Sequence, residues 1–105
     1  MSVVNKRRKT TINTILQKKA QGDKIAVLTA YDAFIARLLD QAGVDMILVG
    51  DSAANVIHGY STTIPITMDN MLAHTAAVSR GTDKAMVIAD MPFLSFQPSA
   101  EIAVQ

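Results

Sequence analysis

The chain has 105 residues, half of them apolar, and 10 Lys and Arg stand against 9 Asp and Glu for a formal net charge of +1. That balance describes a packed unit, because there is enough apolar surface for a core and too little net charge to hold the chain open. There is no cysteine, which excludes a disulfide framework, a thiolate zinc site and a cysteine nucleophile, and suits a reducing compartment.

The near-neutral total conceals a split: residues 1–24 hold seven basic side chains and one acid, whereas residues 25–105 hold three and eight. Lys6-Arg7-Arg8-Lys9 has no interleaved aromatic and no recognition module behind it. Residues 1–10 therefore read as a solvated basic tail and 11–105 as part of one domain, with no nucleic-acid or membrane partner expected. Thr10, Thr11, Asn13, Thr14 and Gln17 interrupt the apolar stretch of roughly 7 to 15 residues that a signal peptide needs after its charges. Apolar runs such as Met46 to Val49 fall far short of the roughly 18 residues of a membrane span.

In chain order, Ile12, Ile15, Leu16 and Ala20 recur at helical spacing, with Thr10 or Thr11 as cap, Lys18 and Lys19 in the last turn and Gly22 beyond. Lys24 to Thr29 reads as a strand whose Ile25-Ala26-Val27-Leu28 core is apolar on both faces, as between layers of helices. A second helix opens near Asp32, carries Phe34, Ile35, Leu38, Leu39 and Ala42 on one side and stops at Gly43. Met46-Ile47-Leu48-Val49 is a second buried strand, followed by a polar loop with Gly50, Asn55, Gly59 and Pro65. Thr67 caps a third helix with Asp69 and Asn70 in its first turn and an apolar stripe of Met68, Met71, Leu72, Thr75 and Val78, closed by Arg80 and Gly81. Ala85 to Ala89 is a third strand. Pro98-Ser99 starts a last helix with Glu101, Ile102 and Val104, which has barely two turns and no closing glycine and reads as cut short.

This alternation is the grammar of parallel α/β architecture with right-handed crossovers. Either an open doubly wound sheet or a (β/α)₈ barrel of about 250 residues would accommodate it. In the barrel case the chain supplies the first three βα units of an incomplete ring and leaves its first and third strands as open edges.

Both closures put ligands at the carboxyl ends of the strands, so Thr29-Ala30-Tyr31-Asp32, Gly50-Asp51-Ser52 and Asp90-Met91-Pro92 are the candidate positions. Asp51 and Asp90 follow successive strands, and neighbouring strands lie about 4.8 Å apart. Two carboxylates without Cys or His form a hard oxygen site that favours Mg²⁺, with Ser52 adding a hydroxyl and Gly50 allowing close approach. On spacing alone the alternative stands beside it: the aspartates cap the following helices or stay solvated in loops. Tyr31 is either a ligand contact or packing beneath a loop. His58 and His74, sixteen residues apart, lack metal spacing, and His74 reads as a structural helix residue. The six methionines read as core gap-fillers, and no phosphate loop or GxGxxG is present.

Five segments in order carry a resemblance: Thr29-Ala30-Tyr31-Asp32, Leu48-Val49-Gly50-Asp51-Ser52, Gly59-Tyr60 to Ile64-Pro65-Ile66-Thr67, His74-Thr75-Ala76-Ala77-Val78 and Ala89-Asp90-Met91-Pro92-Phe93. Together, over residues 24–105, the chain resembles the ketopantoate hydroxymethyltransferase (3-methyl-2-oxobutanoate hydroxymethyltransferase) family. The resemblance implies a (β/α)₈ barrel of the phosphoenolpyruvate/pyruvate type, assembled as a decameric homo-oligomer in the cytoplasm and serving pantothenate and coenzyme A synthesis. It implies a Mg²⁺ ion that chelates the 2-oxo acid and stabilises its enolate, and 5,10-methylenetetrahydrofolate as one-carbon donor. Asp51 and Asp90 match the family's metal-binding aspartates, and Asp51, Ser52 and Asp90 match its substrate contacts. The family's substrate-binding lysine, third metal-linked carboxylate and glutamate base have no match before residue 105, so the chain by itself is expected to lack the chemistry. Ala53-Ala54-Asn55 replaces the usual Leu-Gly-Met after the Gly50-Asp51-Ser52 motif. Two rival readings are a related barrel acting on other Mg²⁺-bound 2-oxo acids, as in the isocitrate lyase group, and a truncated, non-catalytic assembly or binding fragment.

Overall fold

The computed structural model describes residues 8–93. Lys6, Arg7 and the helix expected from Pro98 onward, with Glu101, Ile102 and Val104, lie outside the described residues.

Local signals set most element ends. Helix α1 spans Ile12–Gln21, and Thr11 and Thr14 exchange side-chain and backbone hydrogen bonds across its first turn. Helix α2 spans Ala33–Ala42, where the Asp32 carboxylate accepts the Ile35 N–H at 2.8 Å. Both helices end on glycines in the left-handed region, Gly22 at φ 76° and Gly43 at φ 92°, where a side chain would be strained. Strands β1 (Val27–Thr29) and β2 (Met46–Val49), helices α3 (Ala53–Val56) and α4 (Met68–Gly81), and strand β3 (Met86–Ala89) complete the order. Thr67 caps α4 in a box with Asn70, as its position before the apolar stripe implies.

The three strands form one parallel sheet in the order β1-β2-β3, with Leu28 opposite Ile47 and Ile47 opposite Val87. The α/β grammar and the two open edges therefore hold among the described residues. Helices α2 and α4 pack on each other and on β2. Ile47, Val49 and Val78 are fully buried, each contributing about 1.5–3 kcal/mol of transfer free energy. No helix of the described residues is long and apolar enough to cross a membrane.

Five expectations change. Strand β1 is shorter than Lys24 to Thr29, since pairing starts at Ala26, whose carbonyl receives the Asp45 and Met46 N–H groups and whose own N–H goes to the Asp45 carboxylate. Its Val27 and Leu28 are 45% and 51% exposed and thus not sandwiched, because β1 is an edge strand. The α2 side chains Phe34, Ile35 and Leu38 are exposed, and the buried positions are Ala36 and Asp40. Here α2 crosses α4 closely: a Cβ on Gly81 would collide with the Ala33 carbonyl, so no side chain fits at that point of the crossing. Gly81 is accordingly the last helical residue and a packing glycine, with Thr82 as the C-cap. The loop after β2 contains α3, whose Ala53 and Ala54 are completely buried.

The opposite ends of the strands are tied by two buried acids. Asp40 accepts the backbone N–H groups of Asp83, Lys84 and Ala85 at 3.0, 3.0 and 2.7 Å. Asp45 accepts the Ala26 N–H at 2.9 Å and pairs with the Lys18 ammonium at 2.9 Å, holding α1 across the amino ends of the strands. Thr10, at the edge of the basic segment, is buried and donates its N–H to the Lys84 carbonyl at 2.7 Å, while Arg8 and Lys9 are exposed.

Asp40→Ala leaves three backbone donors without their acceptor and is expected to destabilise the full-length protein by about 3 kcal/mol or more in urea unfolding. Asp40→Asn, which retains one carbonyl oxygen, should lose less. Gly81→Ala is expected to cost about 1–3 kcal/mol in the same assay, since backbone must move to admit the methyl.

Candidate functional site

The carboxyl ends of all three strands converge on one cluster. Asp51 and Ser52 follow β2, Asp90 follows β3, and Tyr31 follows β1 by two residues. The β2–β3 ladder continues into the site through the Asp90 N–H, which donates to the Val49 carbonyl at 2.9 Å. Asp90 Oδ2 in turn accepts the Asp51 N–H at 3.1 Å. The two aspartates named from the sequence are thus brought together. Among the described residues neither caps a helix: the N-cap of α3 is Ser52, which makes no side-chain cap bond.

Gly50 matters here through space. A Cβ on it would sit 3.0 Å from Ser52 Oγ and 3.6 Å from Asp90 Oδ2, so the hydroxyl and the carboxylate oxygen flank the same small volume. Among the described residues no Lys or Arg is paired with either aspartate. No group of three or more His, Cys, Asp or Glu side chains among the described residues is arranged to hold a metal. The donor set is two carboxylates and a hydroxyl, all oxygen. This fits a hard divalent ion such as Mg²⁺, which is commonly held by one or two carboxylates and takes water and substrate oxygens for the rest.

Ser52 Oγ and the Tyr31 hydroxyl are 2.6 Å apart, a short hydroxyl–hydroxyl hydrogen bond. The Tyr31 carbonyl accepts from His74 Nδ1 at 3.0 Å, and His74 Nε2 meets His58 Nε2 at 3.0 Å. A carbonyl only accepts, so the proton on neutral His74 sits on Nδ1 and its Nε2 accepts from His58. His58 is also stacked on Tyr60 at a centroid distance of 6.4 Å. The histidine pair was invisible as a spacing because a loop and a helix supply one ring each. A surface groove lined by Lys9, Thr10, Ser79, Thr82, Met86 and Val87 lies beside the first residues of β3, at the opposite end from the carboxylates.

The small volume above Gly50 gives a direct test. Gly50→Ala presses its methyl on the Ser52 hydroxyl and is expected to lower stability by about 1 kcal/mol in thermal or urea unfolding. Introduced into a Ser52→Ala background, the same change should cost measurably less, because the contacted oxygen is gone.

Comparison with known proteins covers almost the whole chain. A model of the ketopantoate hydroxymethyltransferase family matches residues 9–105. A protein of Syntrophus aciditrophicus (strain SB) named 3-methyl-2-oxobutanoate hydroxymethyltransferase is 54% identical over 100% of this chain and 39% of its own length. One of the same name from Chlorobaculum parvum (strain DSM 263 / NCIMB 8327) is 56% identical over 96% of the chain and 38% of its length. A third, from Thermotoga neapolitana (strain ATCC 49049 / DSM 4359 / NBRC 107923 / NS-E), is 58% identical over 84% of the chain and 33% of its length. The chain therefore spans well under half the length of these relatives.

Proposed function

Starting from a chain that belongs to the ketopantoate hydroxymethyltransferase family, we propose that the protein carrying it transfers a hydroxymethyl group from 5,10-methylenetetrahydrofolate to 3-methyl-2-oxobutanoate, giving 2-dehydropantoate. The observation that carries this reading is the meeting of Asp51 and Asp90 at the carboxyl ends of neighbouring parallel strands, where the Asp51 N–H donates to Asp90 Oδ2, with Ser52 Oγ and Asp90 Oδ2 both close over Gly50.

In this reading Asp51 and Asp90 would hold Mg²⁺ through their carboxylates. The ion, when bound, supplies Lewis-acid polarisation of the 2-oxo acid's carbonyl, which makes the adjacent C–H acidic. Asp90 has a second task on this chain: its Oδ2 accepts the Asp51 N–H at 3.1 Å and so fixes the backbone from which the other carboxylate projects. Ser52 presents its hydroxyl to the substrate carboxylate. This reading assigns no base to residues 8–93 and gives them the binding and orientation of the substrate.

A (β/α)₈ barrel is the closure we propose. It is supported by the open edges of β1 and β3 and by the partly exposed Met46 and Leu48 on the sheet face opposite Ile47 and Val49, a face that further strands would enclose. The exposed Phe34, Leu38 and Leu72 on the helices are consistent with subunit contacts in a cytoplasmic homo-oligomer.

The test uses the full-length protein with Mg²⁺ and both substrates. Folate-dependent formation of 2-dehydropantoate is expected from the wild type. Asp51→Ala and Asp90→Ala should each lower kcat/KM by at least about 100-fold. Near-normal turnover in both variants, or turnover of a 2-oxo acid that does not need the folate, overturns the reading.

A further inference from the structure

Tyr31 lies at the carboxyl end of β1 with its hydroxyl 2.6 Å from Ser52 Oγ. A phenol is a stronger acid than an aliphatic alcohol and so the better donor of the two, while the serine oxygen is the better acceptor. A serine hydroxyl has one proton. If its lone pair receives the phenol, that proton must point elsewhere, and Ser52 Oγ borders the small volume above Gly50 that Asp90 Oδ2 also borders. An organic anion entering beside two carboxylates needs a donor aimed at it, and a hydroxyl whose direction is already set loses less freedom on binding.

The phenol is itself held. The backbone leading to it is fixed by Ala30, which is 1% exposed and donates its N–H to the Leu48 carbonyl at 3.2 Å. The Tyr31 carbonyl is held by His74 Nδ1 at 3.0 Å, and the Tyr31 ring meets the His74 ring edge-on at 6.5 Å between centroids. His74 is steadied in turn by His58. A tyrosine that served only as packing beneath the loop would not need its hydroxyl so close to Ser52 or its carbonyl so anchored.

We propose that Tyr31 is a positioning residue, which by donating to Ser52 Oγ turns the Ser52 proton toward the carboxylate of the bound 2-oxo acid. This rests on the reading of the site given above. It assigns no bond-making to Tyr31: its effect is on capture of the anion, with His74 as its strut.

The test is steady-state kinetics of the full-length enzyme as wild type, Tyr31→Phe, Ser52→Ala and the double variant. Tyr31→Phe keeps the ring and its packing. It is expected to raise KM for 3-methyl-2-oxobutanoate by about 3- to 10-fold while kcat and the folate KM change by less than about 2-fold. Ser52→Ala should raise the same KM at least as much, and adding Tyr31→Phe to it should change KM by less than about 2-fold. A merely structural tyrosine would show its full effect in both backgrounds. An unchanged KM in Tyr31→Phe, a wild-type KM in Ser52→Ala, or multiplicative effects in the double variant each overturn the proposal. Absence of turnover in the wild type removes the reading of the site and this proposal with it, whereas turnover with any of those three results removes this proposal alone.

Discussion

Asp40 is 7% exposed, and its carboxylate receives the N–H groups of Asp83, Lys84 and Ala85, the residues that lead into β3. Burying a carboxylate is costly unless hydrogen bonds replace its water, and three backbone donors do so here. They also fix where β3 begins relative to the last turn of α2. From that point the ladder with β2 sets the rest of the strand, Met46 opposite Met86 through Val49 opposite Ala89. The height of Asp90 beside Asp51 is therefore inherited from a contact at the far end of the strand. Asp45 repeats the device between β2 and β1 and adds α1 through Lys18.

This arrangement divides the labour between the two ends of the sheet. The amino ends hold the buried acids that set register and anchor α1, and the Lys84 carbonyl that holds Thr10. The carboxyl ends hold Tyr31, Asp51, Ser52 and Asp90, joined by hydrogen bonds that run between loops and hardly involve the core. The small residues Ala53 and Ala54 fit the same logic: both are fully buried in α3, so the turn after Ser52 is packed tightly without bulky side chains.

Much of this was legible from the sequence because its causes are local. Thr11, Asp32 and Thr67 cap helices within three residues of themselves, and Gly22 and Gly43 stop helices through their own φ. The strand-end rule located both aspartates because it needs only the position of an apolar run. What escaped depends on distant neighbours. The apolar stripe of α2 predicted a buried Phe34 face, but Ala36 and Asp40 are the buried positions, and α2 meets α4 closely at Ala33 and Gly81. Nothing around Asp40 announces partners 43 to 45 positions away. Likewise Tyr31 meets Ser52 across 21 positions and His74 across 43, separations at which sequence periodicity carries no information.

The bare margins of the sheet bear on how such a chain survives its own synthesis. Among the described residues β1 and β3 each lack a strand partner on their outer side, and β1 adds a half-exposed Val27 and Leu28. Parallel strands acquire their partners only after a crossover has been made, so such edges stay bare longer than those of a hairpin. During that interval another copy of the same segment is as good a partner as the next strand of the same molecule, and edge-to-edge association competes with folding. Short strands of three and four residues limit this hazard, since each offers few groups to a stranger. High expression of this segment by itself would favour aggregates over monomers.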